Sequence, residues 1–129
     1  MAARSTQIKF TNSTGYLLVL TDSGLDHGIW NGGPVTQIPS NTNELVLGQN
    51  DSDGFATGDQ GFLTYAIIGI NNNNQATVEG YVTIAWDNPY VGSNSYSNSV
   101  SSRGAINFQI SNGGGSGDNA SVTYNLSVK

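Results

Sequence analysis

Near the C-terminus Val122, Tyr124, Leu126 and Val128 alternate with Thr123, Asn125 and Ser127. A period of two sends the apolar groups to one face and the hydroxyls and amide to the other only if the segment is an extended strand. The same alternation runs through Val82, Ile84 and Trp86 and through Ile106, Phe108 and Ile110. Helix-period patterning is missing almost throughout. Short bursts of β-branched and aromatic residues instead fall between clusters of Gly, Asn, Asp and Ser, at residues 7–11, 16–21, 28–31, 35–38, 44–47, 61–69, 76–86, 104–110 and 122–128. Each such strand has one face to bury, and many of them at short spacing predict an all-β, single-domain fold over residues 1–129, an antiparallel two-sheet β-sandwich. Asn12-Ser13-Thr14-Gly15 is expected to close a first hairpin, with further turns at 71–74 and 113–117.

With 129 residues and no cysteine, such a fold has no disulfide or thiolate site to hold it and depends on its packed core. Only 10% of residues are charged, and nine acids against four bases (Arg4, Lys9, Arg103, Lys129) leave a formal charge of −5. That balance argues against nucleic acid as a partner, and against adhesion to anionic lipid by charge. Membrane contact, if made, must be apolar, aromatic or headgroup-specific. No apolar run follows Arg4 to make a signal peptide, and no segment approaches the roughly 20 apolar residues of a spanning helix. The expectation is a chain that is soluble when made.

Catalysis finds little to work with. The single histidine, His27 in Leu25-Asp26-His27-Gly28, has no serine in a nucleophile-elbow pattern to serve, so a loop or strand-edge position is expected for it. Glu44 and Glu79, the only glutamates, sit in strand-like runs and are expected to face solvent rather than a cleft. Asn50-Asp51-Ser52-Asp53-Gly54 resembles the start of a calcium loop. Aligning Gly54 with the loop's glycine, however, puts Gln49 and Gln60 where carboxylates are needed. A looser oxygen site at Asp51, Asp53 and Asp59 is explained better by plain Asp-Gly turns. The expectation is no enzyme, no cofactor and no metal.

The aromatic residues carry more information. Trp30, Trp86, Tyr90 and Tyr96 stand among polar neighbours, and amphipathic rings suit membrane interfaces and sugar faces alike. Trp86 continues the Val82/Ile84 face and has a core reading beside its contact reading. Tyr90 and Tyr96 lie beyond Pro89 in turn-rich sequence and read more as surface groups. These four are the candidate contact residues for a membrane lipid or receptor, with Trp30, Tyr90 and Tyr96 expected on loops at one end of the sandwich.

Several segments taken in order resemble the aegerolysins: Ile8-Lys9-Phe10-Thr11-Asn12 with Thr14-Gly15, Leu25-Asp26-His27-Gly28-Ile29-Trp30, Gly54-Phe55-Ala56-Thr57-Gly58 with Gly61, the 86–96 segment, and Gly113-Gly114-Gly115-Ser116-Gly117 leading to Ser121-Val122-Thr123-Tyr124. Asp87-Asn88-Pro89 and Gly92-Ser93-Asn94 are most similar to the small component of bacterial binary insecticidal crystal toxins. The resemblance implies an acidic lipid-binding β-sandwich, deposited in crystal inclusions, that acts on gut membranes with a larger pore-forming protein partner and leaves open a homo-oligomer. Thr57, Tyr90 and Asn94 depart from the acidic residue, tryptophan and lysine of the fungal sphingolipid binders, which implies a different lipid or a protein receptor. A carbohydrate-binding module is the alternative reading of the same aromatic and amide groups.

Overall fold

The computed structural model describes residues 2–129. Its ten strands are β1 (Ser5–Asn12), β2 (Leu17–His27), β3 (Ile29–Trp30), β4 (Gln37–Ile38), β5 (Thr42–Asp51), β6 (Asp59–Ile70), β7 (Ala76–Asn88), β8 (Ser95–Ser102), β9 (Phe108–Gly114) and β10 (Asn119–Val128). Sheet I has the order β3-β5-β1-β10-β9 and sheet II the order β4-β2-β6-β7-β8. Neighbours run antiparallel except β1 and β10, which are parallel. The fold is thus an all-β two-sheet sandwich, as the period-two pattern predicts.

The alternation decides what lies between the sheets. Ile8 and Phe10 of β1 and Val122, Tyr124 and Leu126 of β10 meet Leu63, Tyr65 and Ile67 of β6 and Val82, Ile84 and Trp86 of β7 in one buried cluster. Each such side chain contributes about 1.5–3 kcal/mol when removed from water. Phe10 and Tyr65 touch across the layer with ring centroids 6.5 Å apart. The buried phenols keep their hydroxyls satisfied: Tyr65 donates to the Val35 carbonyl at 2.6 Å and Tyr124 to that of Ala85. Burial pushes both phenols above their ordinary range, so they remain neutral donors.

Four expectations are corrected. Residues 12–15 do not close a hairpin, because β1 lies in sheet I and β2 in sheet II. Asn12 is fully buried there; its carboxamide oxygen accepts from the Thr14 amide (3.1 Å) and hydroxyl (2.6 Å), while its nitrogen donates to the carbonyls of Tyr16 (2.8 Å) and Pro39 (3.0 Å). The turn residues therefore make a corner between layers, where both flanking strands bury a face. Strand β8 was not expected, since its serines alternate with Tyr96, Asn98 and Val100 and give little apolar signal. Gly113 and Gly114 belong to β9 rather than to the turn. Val128, finally, is exposed at the strand end although Val122, Tyr124 and Leu126 are buried. The turn expected at 71–74 does join β6 to β7, with the Asn71 side-chain oxygen accepting from the amides of Asn73 (2.8 Å) and Gln75 (3.0 Å).

Candidate functional site

One end of the sandwich is formed by the β5–β6 connection (52–58), the β7–β8 connection (89–94) and β3. The first loop is held from within. Thr57 donates to the carbonyls of Asp53 (3.0 Å) and Gly54 (3.1 Å), and the chain reverses through Gly54 at φ 105° and Ala56 at φ 57°. Gly58 presses against the second loop so closely that a Cβ would stand 2.4 Å from the Asn88 carbonyl oxygen and 2.8 Å from the Pro89 Cα, which only glycine permits. This conformation projects Phe55 outward at 95% exposure. Across from it the second loop presents Val91 at 82% and Tyr90 at 44%, and β3 adds Ile29 at 49%. A groove of about 640 Å³ runs between them, lined by Ile29, Phe55, Ala56 and Tyr90 with Asp51 and Asp53.

Arg4 clamps the second loop. Its guanidinium donates to the Tyr90 carbonyl at 2.9 Å, lies 5.0 Å from the Tyr90 ring centroid and pairs with Asp118 at 3.1 Å. On the far side of this clamp is a polar groove of about 840 Å³ whose walls include Asn94, Tyr96 and the 114–118 backbone. The Tyr96 ring lies on Gly114, where a Cβ would come within 2.1 Å, and its hydroxyl donates to the Gly115 carbonyl at 2.7 Å. Asn94 donates to the Gly117 carbonyl at 2.9 Å. Desolvation raises the Tyr96 phenol above its ordinary range.

The base of this end is rigid and polar. Trp86 is only 1% exposed, donates its indole N–H to the Asn50 carboxamide at 2.9 Å and meets Trp30 edge to face with centroids 5.7 Å apart. Asn50 in turn donates to the carbonyls of His27 (3.3 Å) and Ile29 (3.2 Å), which fixes β3 against β5. Asn88, also buried, donates to the carbonyls of Ser5 (3.1 Å) and Asp118 (2.9 Å) and ties the two sheets together. Beside them Asp59 is fully buried with neither carboxylate oxygen hydrogen-bonded, and the neighbouring Thr6 hydroxyl is also without a partner. Desolvation pushes the Asp59 carboxyl up to about 6; the neighbouring Thr6 hydroxyl opposes this most, and the charges of Asp51 and Asp87 add to the rise.

The structure sorts the four expected contact residues. Tyr90 reaches the surface on its loop. Trp30 and Tyr96 are half-buried and lie on strands β3 and β8 rather than on loops. Trp86 is corrected: as the period-two face requires, it points inward and supports Trp30 instead of meeting a ligand. Phe55, Val91, Ile29 and Arg4 were missed. The signal for Phe55 was present, since an aromatic enclosed by Gly54 and Ala56-Thr57-Gly58 has no strand to belong to. His27 is exposed at the end of β2. Glu44 is exposed and Glu79 half-buried, accepting from Thr77 at 2.9 Å. Among the described residues no three His, Asp or Glu side chains are grouped to hold a metal, and no helix is long and apolar enough to cross a membrane.

No protein-family model and no curated protein matches the chain. Among solved structures it is similar to the lipid binding protein Nakanori, with a TM-score of 0.76 over 98% of this chain and 72% of that one, at 13% sequence identity. At that identity the likeness is one of fold, and the two chains share the two-sheet sandwich.

Proposed function

We propose that the chain is a non-catalytic, membrane-interacting toxin component that docks through the end bearing Ile29, Phe55, Tyr90 and Val91. The single observation that carries this reading is Phe55, an aromatic ring held 95% exposed by a braced loop at the margin of a fold whose other large aromatic rings are better covered. Exposed apolar groups clustered on a rigid end mark a surface that is covered in use. Burial of these four side chains in lipid is worth several kcal/mol, about 1.5–3 for each if complete, which suffices for reversible attachment. Asp51 and Asp53 beside the groove and the charge of −5 favour an uncharged or zwitterionic surface over an anionic one. The lipid binding reported in the name of the structurally similar Nakanori supports the same reading.

The finer proposal follows the aegerolysin resemblance: the small subunit of a binary pore-forming insecticidal toxin, released from inclusions, acting on gut cell membranes with a larger pore-forming partner. The test is dye release from zwitterionic liposomes, and from liposomes of gut lipid, with the chain alone and with a candidate large subunit. Binding by the chain with leakage only in the mixture is expected. Absence of binding to every liposome would remove the membrane reading. The polar groove beside Tyr96 and Asn94 favours a second reading, a carbohydrate-binding module, because amides and a ring edge can hydrogen-bond and stack on a sugar. Retention on an immobilised glycan, competed by free sugar, would favour it.

A further inference from the structure

The two outer faces of the sandwich are unlike. On sheet I the outward positions of the central strands are Gln7, Lys9 and Thr11 of β1 and Ser121, Thr123 and Asn125 of β10, and β5 adds Gln49 and Asp51 with a single exposed apolar residue, Val46, so that face is mainly polar. On sheet II, at the end away from Phe55, the outward positions of the three central strands are apolar, bordered by Gln37 of β4 and Ser101 of β8. Leu17 stands beside Ile68 and Ile68 beside Val78, while Ala66 lies between Val19 and Tyr81. Ala66 is 3% exposed although it is on the outside, because its larger cross-strand neighbours flank it. Ile70 continues the patch at 68% exposure. A sheet face left to water would alternate to polar residues, as sheet I does.

We infer that this outer face of sheet II is a docking surface for a second protein whose own apolar patch is bordered by lysine or arginine. Charge selects that partner. The accessible charged side chains on the strands of sheet II are Asp22, Asp26, Glu79 and Asp87, Asp59 being buried. Among the described residues the one base at this edge is Arg103, which follows β8 and whose amide donates to the Glu79 carbonyl at 2.8 Å, so acids outnumber bases on this face. Asp22 lies on this same face, opposite Thr64. A second copy docked through the same face brings acid against acid, whereas a basic rim complements it. Position also separates this surface from the membrane. Strand β6 has 12 residues from Asp59 at the Phe55 end to Ile70, a span of roughly 40 Å at about 3.3 Å per residue. With the Phe55 end on a bilayer, the patch around Ile68 stands clear of it and open to a protein. The inference deepens the partner assigned under the proposed function, and it rests on that reading only for which end faces lipid.

The test is photo-crosslinking in extract of the cells that make the protein, with Ile70→p-benzoylphenylalanine and, as a control on sheet I, Val46→p-benzoylphenylalanine, Val46 being 43% exposed. The expected result is an adduct with one distinct protein from position 70 and none from position 46. Ile68→Asp should lower its yield at least tenfold. With the captured protein purified, Ile70→Asp, a change at a residue too exposed to unfold the core, should weaken binding at least tenfold, and added salt should weaken it further. Phe55→Ser should leave the adduct intact while lowering liposome binding, so that failure of the membrane reading and failure of this surface are read separately. An adduct with a second copy of the chain, no adduct, equal adducts from both positions, binding indifferent to salt, or loss of liposome binding in Ile70→Asp would each overturn the inference.

Discussion

The two ends of the sandwich solve the same problem, closing a pair of sheets, with different chemistry. At one end the turns are made of amides: Asn12 caps a corner from inside and Asn71 organises the 71–74 turn, so that the turn tips there are largely asparagine, and the exposed apolar residue beside them, Ile70, belongs to the outer face of sheet II rather than to a turn. At the other end amides are again used, but beneath the surface, where Asn50 and Asn88 hold Trp86, β3 and β1 in place. What meets solvent is Phe55 and Val91. Turns need no apolar tips to fold, so the second arrangement is a feature of use rather than of stability.

That contrast can be broken in four places, in order of expected effect. Trp86→Ala removes a fully enclosed indole and orphans Asn50; a loss of about 3–5 kcal/mol is expected, read as a lowered urea midpoint. If the loss is below 1 kcal/mol, the base of the contact end is not the rigid platform described. Asp59→Asn addresses the unpaired carboxylate in the same base. Its pKa is about 6 in the fold against an ordinary 3.8, so the native state holds the proton more tightly than the unfolded chain. The contribution of Asp59 to stability is therefore most favourable below about pH 4, falls as pH rises from about 4 to 6, and reaches its full penalty above about 6. The amide should raise stability at pH 7 by on the order of 2–3 kcal/mol and flatten the profile between pH 4 and 6; an unchanged profile would mean that Asp59 is solvated or paired.

At the opposite end Asn12→Ala deletes hydrogen bonds to four groups and should cost about 2 kcal/mol without altering liposome binding. Smallest in stability is Phe55→Ser, expected within about 0.5 kcal/mol of the parent by thermal unfolding, yet lowering liposome affinity about tenfold or more. A stability loss as large as that of Asn12→Ala would show that Phe55 packs instead of waiting for a partner.

The sheets were legible because buried faces impose a period of two on the residues, as at Val82, Ile84 and Trp86. Where burial does not select apolar residues the pattern is silent, which is why the serines of β8 gave no strand and why Asn12, buried with every polar atom partnered, read as an exposed turn. The contact end was half legible. Tyr90 was found because it follows Pro89 in turn-rich sequence. Trp86 was ambiguous because one aromatic at the end of an alternating run serves equally as core or as contact, and only its 1% exposure and the bond to Asn50 decide. Arg4 was out of reach, since its contacts with Tyr90 and Asp118 join segments 86 and 114 residues apart.

The chain has no cysteine, so a single introduced thiol reports on one place. The decisive measurement is the emission of an environment-sensitive fluorophore on Phe55→Cys and on Asn73→Cys, each titrated with zwitterionic liposomes. A blue shift with increased intensity at position 55 and none at 73 is predicted; equal responses from both ends, or none from 55 while the protein is bound, would contradict docking through this end.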